Sequence, residues 1–99
     1  MTKRDMVNAI AEEMGIPKTQ AQAIIQRVFD GIIEALVQEG RIELRNFGVF
    51  EVKRRRARQA RNPRTGAKVA VPARLVVSFT PGLEMHERVR QLQDVPDRT

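Results

Sequence analysis

The segment from residue 53 to residue 74 contains the side chains whose types and spacing indicate a function most directly. This segment contains nine basic residues and no acid, whereas the other 77 residues contain nine basic and twelve acidic groups. The whole net charge of +6 therefore comes from the segment. Seven of the nine are arginine, whose planar guanidinium suits phosphate better than the lysine ammonium does. The pattern predicts a surface that binds a polyanion, and a solvated basic loop without a ligand is the less favoured alternative.

Catalysis and metal binding are not supported by the remaining polar residues. The chain has no cysteine, and its one histidine, His86, falls on a predicted helix surface. Glu12 and Glu13 have no partners at the spacing that a metal or an acid–base pair requires, and neither have Asp94 and Asp97. The sequence therefore predicts a protein that is not an enzyme and that uses no metal or other cofactor.

The length of the chain indicates how many domains it forms, and its first residues bear on its location. Ninety-nine residues suffice for one domain, but a chain of this length buries only a modest core. The basic start, Met1 to Asp5, is not followed by the apolar stretch of a signal peptide. No apolar run approaches the roughly 20 residues that span a bilayer. We therefore expect a cytoplasmic location, at the nucleoid.

Two helices are predicted in the first forty residues. Thr2 and Asp5 have the spacing of a capping box, and Gly15 is predicted to end the first helix. The second helix is predicted from about Lys18 to Gln38, and its apolar arc is wider than one neighbouring helix can cover. A second copy of the chain is favoured over an ordinary core as the cover for this arc. The arc consists of Ile24, Ile25, Val28, Phe29, Ile32, Ile33, Leu36 and Val37.

Alternating residues after position 40 predict strands and a projecting ribbon. A turn at 46–48 joins the first two strands, because Asn and Gly tolerate positive φ. A second turn at 62–66 lies between strands that have no core residues near their ends, which describes a β-ribbon reaching into solvent. Such a ribbon is marginal alone, so we expect a ligand to order it. Pro72 interrupts the returning strand and indicates an edge or a bulge.

A short helix is predicted from about Leu83 to Leu92. Met85, Val89 and Leu92 recur at helical spacing and are expected to form its buried stripe. Residues 93–99 show no periodicity and are expected to fray.

The order of these elements, together with three motifs, resembles the HU / integration host factor family of bacterial histone-like DNA-binding proteins over about residues 1–92. The motifs are Phe47-Gly48-Val49-Phe50-Glu51-Val52, Arg61-Asn62-Pro63-Arg64-Thr65-Gly66 and Phe79-Thr80-Pro81-Gly82. The resemblance implies an α+β fold and an intertwined dimer. Its helical base and small antiparallel saddle would carry two extended β-ribbon arms, at about residues 53–74. It also implies a protein that bends and compacts double-stranded DNA through the minor groove.

The resemblance implies roles for individual residues. Pro63 is expected to insert between base pairs. The implied arm contacts are Lys53, Arg54, Arg55, Arg56, Arg58, Arg61, Asn62, Arg64, Thr65, Gly66, Lys68 and Arg74. The implied body contacts are Lys3, Arg45 and Asn46. The implied dimer core is Ile25, Val28, Phe29, Ile32, Leu36, Phe47, Phe50 and Phe79.

Two departures from the family pattern and two alternatives remain at this point. Asn46 stands where the family usually has Gly, and Leu83 stands where it usually has Lys, so one phosphate contact of the body is expected to be lost. A homodimer of the HU kind is favoured, and a site-preferring subunit of an integration-host-factor-like heterodimer is the alternative. General polyanion or RNA binding is the less favoured function, because the four phenylalanines lie at core-like positions and provide no stacking platform.

Overall fold

The computed structural model describes residues 1–96. The chain divides into two compact units, and the boundary between them in the sequence follows residue 38. The described part contains three helices and two antiparallel sheets, which confirms the predicted α+β class. The elements in chain order are α1 (Lys3–Met14), α2 (Lys18–Glu39), β1 (Arg41–Leu44), β2 (Gly48–Arg55), β3 (Arg58–Arg61), β4 (Lys68–Val71), β5 (Arg74–Pro81) and α3 (Leu83–Arg90).

Helix α1 has both of its predicted end signals. The Asp5 backbone N–H donates to Thr2 Oγ1 at 3.2 Å, and the Thr2 N–H donates to Asp5 Oδ2 at 2.8 Å. This backbone hydrogen bond favours the ionised carboxylate and holds the pKa of Asp5 below its ordinary value. At the other end, Gly15 adopts φ 66° and its N–H donates to the Ala11 carbonyl. The capping box and the glycine stop are therefore confirmed.

The helical unit has a small core. Val7 and Ala11 of α1 pack with Ala21 and Ile25 of α2, and these four are the buried apolar side chains of the described chain. Much of the apolar arc of α2 lies outside this core. Val28, for example, is 56% exposed, and Ile24, Ile33 and Val37 are exposed as well. The arc is thus wider than α1 covers, as the sequence predicts.

The sheet unit begins with three antiparallel strands in the order β1-β2-β5. Ile42 lies opposite Phe50, and Phe50 lies opposite Phe79, so these side chains share one face of the sheet. The Phe50 and Phe79 rings are 4.6 Å apart between centroids. Asn46 adopts φ 67° in the turn before β2, which confirms the predicted positive-φ position.

The ribbon continues the register of the sheet through an interruption. Arg55 pairs with Arg74 at the end of the sheet, and Arg58 pairs with Val71 at the start of the two-stranded sheet. Two residues therefore separate the pairs on each strand, with Pro72 among them. A bulge would place unequal numbers of residues on the two strands. The predicted interruption is confirmed, but it is not a bulge.

Helix α3 differs from its prediction in length and in burial. It ends at Arg90, and none of its residues is buried, so the expected buried stripe is wrong for the chain as described. Met85 is half-buried, whereas Val89 and Leu92 are 59% and 52% exposed, so the sheet unit leaves most of their surface uncovered. Residues 93–96 form no helix or strand and are exposed, and the part of the predicted frayed tail at 97–99 lies outside the described residues.

Candidate nucleic-acid interface

The end of the ribbon is a closed turn whose backbone is hydrogen-bonded to itself. The Asn62 N–H donates to the Ala67 carbonyl at 2.8 Å, and the Gly66 N–H donates to the Asn62 carbonyl at 2.7 Å. Gly66 adopts φ 72°, a left-handed conformation that suits glycine. These hydrogen bonds close the turn and define its backbone shape.

Two side chains of the turn are used to organise it. Asn62 Oδ1 accepts from the Arg64 N–H at 2.8 Å, and Thr65 Oγ1 accepts from the Ala67 N–H at 3.2 Å. Pro63 is exposed between them and has no N–H of its own. The turn thus presents an apolar ring to solvent, next to polar backbone groups that are already paired. The geometry gives Asn62 and Thr65 a role in shaping the tip.

Both faces of the ribbon base are basic. Lys53 and Arg55 alternate along β2 on one face, and Arg74 lies on that face directly opposite Arg55. Arg54 lies on the other face, opposite Leu75. The arginines that the sequence grouped by position alone are therefore divided between two surfaces.

The outer ribbon repeats this division. Arg61 lies opposite Lys68, so both share one face. Arg58 lies on the other face, opposite Val71. Arg64 belongs to the turn itself. All of these basic side chains are exposed, so the outer ribbon presents positive charge on both faces and at its turn.

Four arginines surround the interruption of the ribbon. Arg55, Arg56, Arg58 and Arg74 line a cleft of about 380 Å³ together with Val71 and Pro72. The one ion pair among residues 1–96 joins Arg41 Nη2 to Glu43 Oε1 at 3.3 Å, away from this cleft. Like charges placed opposite each other on paired strands repel. An anion in or beside the cleft would relieve that repulsion.

The predicted body contacts lie in different units. Lys3, in α1, hydrogen-bonds the side chain of Gln26. Arg45 and Asn46 are exposed in the turn before β2. Leu83, the other departure from the family pattern, is exposed as the first residue of α3.

Sequence reasoning missed two basic residues of the helical unit. Arg4 and Lys18 line a hollow of about 550 Å³ together with Lys3, Asn8 and Gln22. Arg4 and Lys18 are separated by thirteen residues in the chain, and only the packing of α1 on α2 brings them together. The one feature of the sequence that could have indicated them is that each lies in the first turn of its helix.

The residues predicted for a dimer core occupy three environments. Ile25 is buried in the helical unit, and Phe29 packs against that core. Val28 is exposed, whereas Ile32 and Leu36 are half-buried. The three phenylalanines of the sheet unit form an aromatic cluster in which Phe47 lies 5.6 Å from Phe79 between centroids. Phe47 remains 47% exposed, so this cluster has an open side.

Comparison with known proteins assigns the chain to a family. The sequence model of the family described as "Bacterial DNA-binding protein" matches residues 1–90. The chain belongs to this family of bacterial DNA-binding proteins.

Relatives within the family of bacterial DNA-binding proteins are named HU and integration host factor. The chain is 41% identical over 90 residues to DNA-binding protein HU of Geobacillus stearothermophilus, a match that covers 91% of this chain and 100% of that protein. It is 38% identical over 89 residues to integration host factor subunit alpha of Stenotrophomonas maltophilia strain K279a, covering 90% of each chain. An Anabaena HU–DNA cocrystal structure matches with a TM-score of 0.81 and 37% identity, covering 93% of this chain and 100% of that one.

These matches confirm the resemblance predicted from the motifs. Because the family consists of DNA-binding architectural proteins, they also confirm that the chain is not an enzyme. In residues 1–96, no helix combines the length and the apolar character that crossing a bilayer requires.

Proposed function

We propose that this protein is an architectural protein of double-stranded DNA, which bends and compacts the duplex by holding its minor groove with basic ribbons and inserting Pro63 between base pairs. The observation that supports this most strongly is the exposed proline ring on a closed turn, at the end of an acid-free ribbon. The likeness to a solved HU–DNA complex supports the same ligand.

The tip suits the minor groove for physical reasons. That groove offers a degenerate set of hydrogen-bond acceptors, so proteins recognise it mainly by its width and deformability. Insertion of an apolar wedge is the mechanism already known for minor-groove binders of this family, and unstacking a base step costs about a few kcal/mol. Pro63 adds no unpaired N–H to a stack of bases, and its neighbours' backbone groups are satisfied within the turn. Insertion of the tip therefore leaves the N–H groups of Asn62 and Arg64 paired within the turn.

The ribbon supplies the free energy that bending requires. Arginines on both of its faces reach the phosphates on the two walls of a groove at once. Each phosphate contacted releases counterions, so affinity falls steeply as the salt concentration rises. The arm residues proposed to make these contacts are Lys53, Arg54, Arg55, Arg56, Arg58, Arg61, Arg64, Lys68 and Arg74. Lys3, Arg45 and Asn46 are proposed as contacts of the body.

The acting species is proposed to be a dimer. Four buried apolar side chains make a small core for residues 1–96, while many large apolar residues are exposed. A second copy would cover the open arc of α2 and the open side of the phenylalanine cluster. The DNA-bending domain is proposed to span residues 1–92, with the arm at about 53–74, and to act in the bacterial cytoplasm at the nucleoid.

A heterodimer with a related chain is a second candidate. The 38% identity to an integration host factor subunit supports it nearly as well as the HU relatives support a homodimer. A purified single chain that forms a stable dimer and bends DNA would favour the homodimer. Failure of the pure chain to dimerise, followed by assembly with a second family member from the same cell, would favour the heterodimer.

A bending assay on end-labelled DNA tests the wedge. Energy transfer is measured on a duplex of roughly 30 base pairs, about the length over which architectural proteins bend DNA. Pro63→Ala is expected to reduce the compaction of the bound duplex more than it reduces affinity, because the ribbon's phosphate contacts remain. Pro17→Ala is the matched control, since it removes an exposed proline that lies just before α2, outside the ribbon.

Two outcomes would contradict the proposal. If Pro63→Ala compacts DNA as fully as the unchanged protein, Pro63 is not the wedge. Equal affinity for duplex DNA and for single-stranded RNA at one salt concentration would instead indicate a general polyanion binder.

A further inference from the structure

We propose that the segment Gln91–Pro96, together with α3, packs against a second copy of this chain. The proposal rests on the dimer put forward above and adds to it a contact that the family match does not include. That match ends at residue 90. The HU relative from Geobacillus stearothermophilus is covered over its whole length by an alignment of 90 residues. The segment is therefore an addition to the part of the chain that resembles HU.

The segment prolongs an apolar stripe of α3. Met85, Val89 and Leu92 follow one another at intervals of four and three residues, which places them on one side of a helix. The helix ends at Arg90, but Gln91 keeps helical backbone angles and the Leu92 N–H donates to the Val89 carbonyl at 3.1 Å. Leu92 thereby stays in line with the stripe.

Leu92 contributes to two neighbouring grooves. The first, of about 470 Å³, is lined by Phe47, Met85, Val89 and Leu92 along its apolar side. The second, of about 380 Å³, is lined by Val89 and Leu92 again. Its other apolar walls are Val95 and Pro96. Because the grooves share two walls, they form one continuous apolar surface from the phenylalanine cluster to the end of the described chain.

A second copy of the chain is the occupant that this surface fits best. Met85 is half-buried, but Val89 and Leu92 are exposed, so the sheet unit itself covers only part of the stripe. Phosphate has no excess of positive charge to bind here, because Glu84 offsets Arg88 in the first groove and Asp94 is the charged residue of the second. The proposed dimer already requires apolar surface to be buried at Phe47, and the grooves begin at that residue. The segment thus continues the proposed interface.

Sedimentation equilibrium on full-length variants tests the proposal. The double change Leu92→Ser and Val95→Ser replaces the segment's apolar walls, and we expect the dimer dissociation constant to rise at least about tenfold, equivalent to about 1.4 kcal/mol. The double change Gln91→Ser and Gln93→Ser is the matched control, because it alters exposed polar residues of the same segment and should leave the constant unchanged. Leu92→Met with Val95→Ile keeps the surface apolar and should associate like the unchanged protein.

The outcomes separate this proposal from the one on which it rests. If the unchanged chain is a monomer at every concentration, the proposed dimer fails and the interface fails with it. If the unchanged chain dimerises and the serine variant has the same dissociation constant, only the role of Gln91–Pro96 is overturned. A fall in the melting temperature of the serine variant that is equal at all protein concentrations, with an unchanged dissociation constant, would show that the segment packs within one chain.

Discussion

Three adjacent residues where the turn between β1 and β2 enters β2 have different backbone requirements. Asn46 adopts φ 67°, which few residues other than glycine tolerate as well. The Phe47 N–H donates to the Leu44 carbonyl at 2.9 Å, and its carbonyl accepts from the Gly82 N–H at 2.8 Å. Gly48 is buried. The turn is thereby tied to the residue just before α3, so a change here affects two parts of the sheet unit.

Gly48→Ala is expected to destabilise the protein by about 1–3 kcal/mol, the cost of overpacking a filled site. A Cβ at this position would lie 2.6 Å from the Phe79 ring and 2.7 Å from the Thr80 carbonyl oxygen. Backbone at that distance has little room to move. Urea unfolding followed by circular dichroism measures the change.

Gly31→Ala is the control for this substitution. A Cβ there would meet only the end of the flexible Arg27 side chain, at 3.3 Å. Alanine is also the better helix former, by about 1 kcal/mol. The control should unfold at a higher urea concentration than the unchanged protein. Equal stability of Gly48→Ala and the unchanged protein would mean that the space around Phe79 is larger than the structure indicates.

Residue-level features were predictable from sequence where the cause is local. The Thr2–Asp5 cap, the stop at Gly15 and the positive φ of Asn46 depend on neighbours within a few positions, and all three are confirmed. The hollow at Arg4 and Lys18 was not predictable, because it depends on how two helices pack.

At the scale of elements, the ribbon is expected to determine how strongly binding depends on salt. Arg55 and Arg58 are two of the four arginines that line the cleft at the interruption. Removing one phosphate contact lowers the slope of log affinity against log salt concentration by about 0.9. Arg55→Ala and Arg58→Ala should each weaken binding to any duplex sequence and reduce the slope by about one contact. Fluorescence anisotropy across a salt series measures both quantities.

Arg27→Ala is the control for charge alone. Arg27 lies on α2 in the helical unit, outside the ribbon. Its removal changes the net charge by the same amount and should leave the slope unchanged. If Arg27→Ala and Arg58→Ala reduce the slope equally, general charge explains the binding and the ribbon has no particular role.

Element boundaries were predictable where a residue type forces them, and burial was less so. The turn at 62–66, the break at Pro72 and the positive φ of Asn46 follow from the conformational limits of Asn, Gly and Pro, and each is found. The turn predicted at 46–48 lies one residue earlier, because Gly48 already pairs as the first residue of β2. The expected buried stripe of α3 was wrong, because helical spacing tells which residues share a side and not what covers that side. The absence of a bulge at Pro72 was also beyond prediction, since it depends on the partner strand.

For the whole molecule, stability is expected to depend on protein concentration. The four side chains of the buried core are small or medium-sized, and large apolar residues of both units are exposed. If two copies cover these residues, association is linked to folding and the melting temperature rises with concentration. Scanning calorimetry over a roughly 100-fold range of concentration measures this linkage. The same melting temperature across the range would show that each chain folds independently of any partner.

The interruption of the ribbon has a mechanical consequence. Pairing stops and resumes at the same level on both strands, with the same register on either side. A change of direction between sheet and ribbon can therefore occur at Arg56-Ala57 and Pro72-Ala73 while every paired residue keeps its partner. The ribbon has, in effect, a joint at one level, and a duplex of different curvature can be followed by moving that joint while the tip that carries Pro63 keeps its shape.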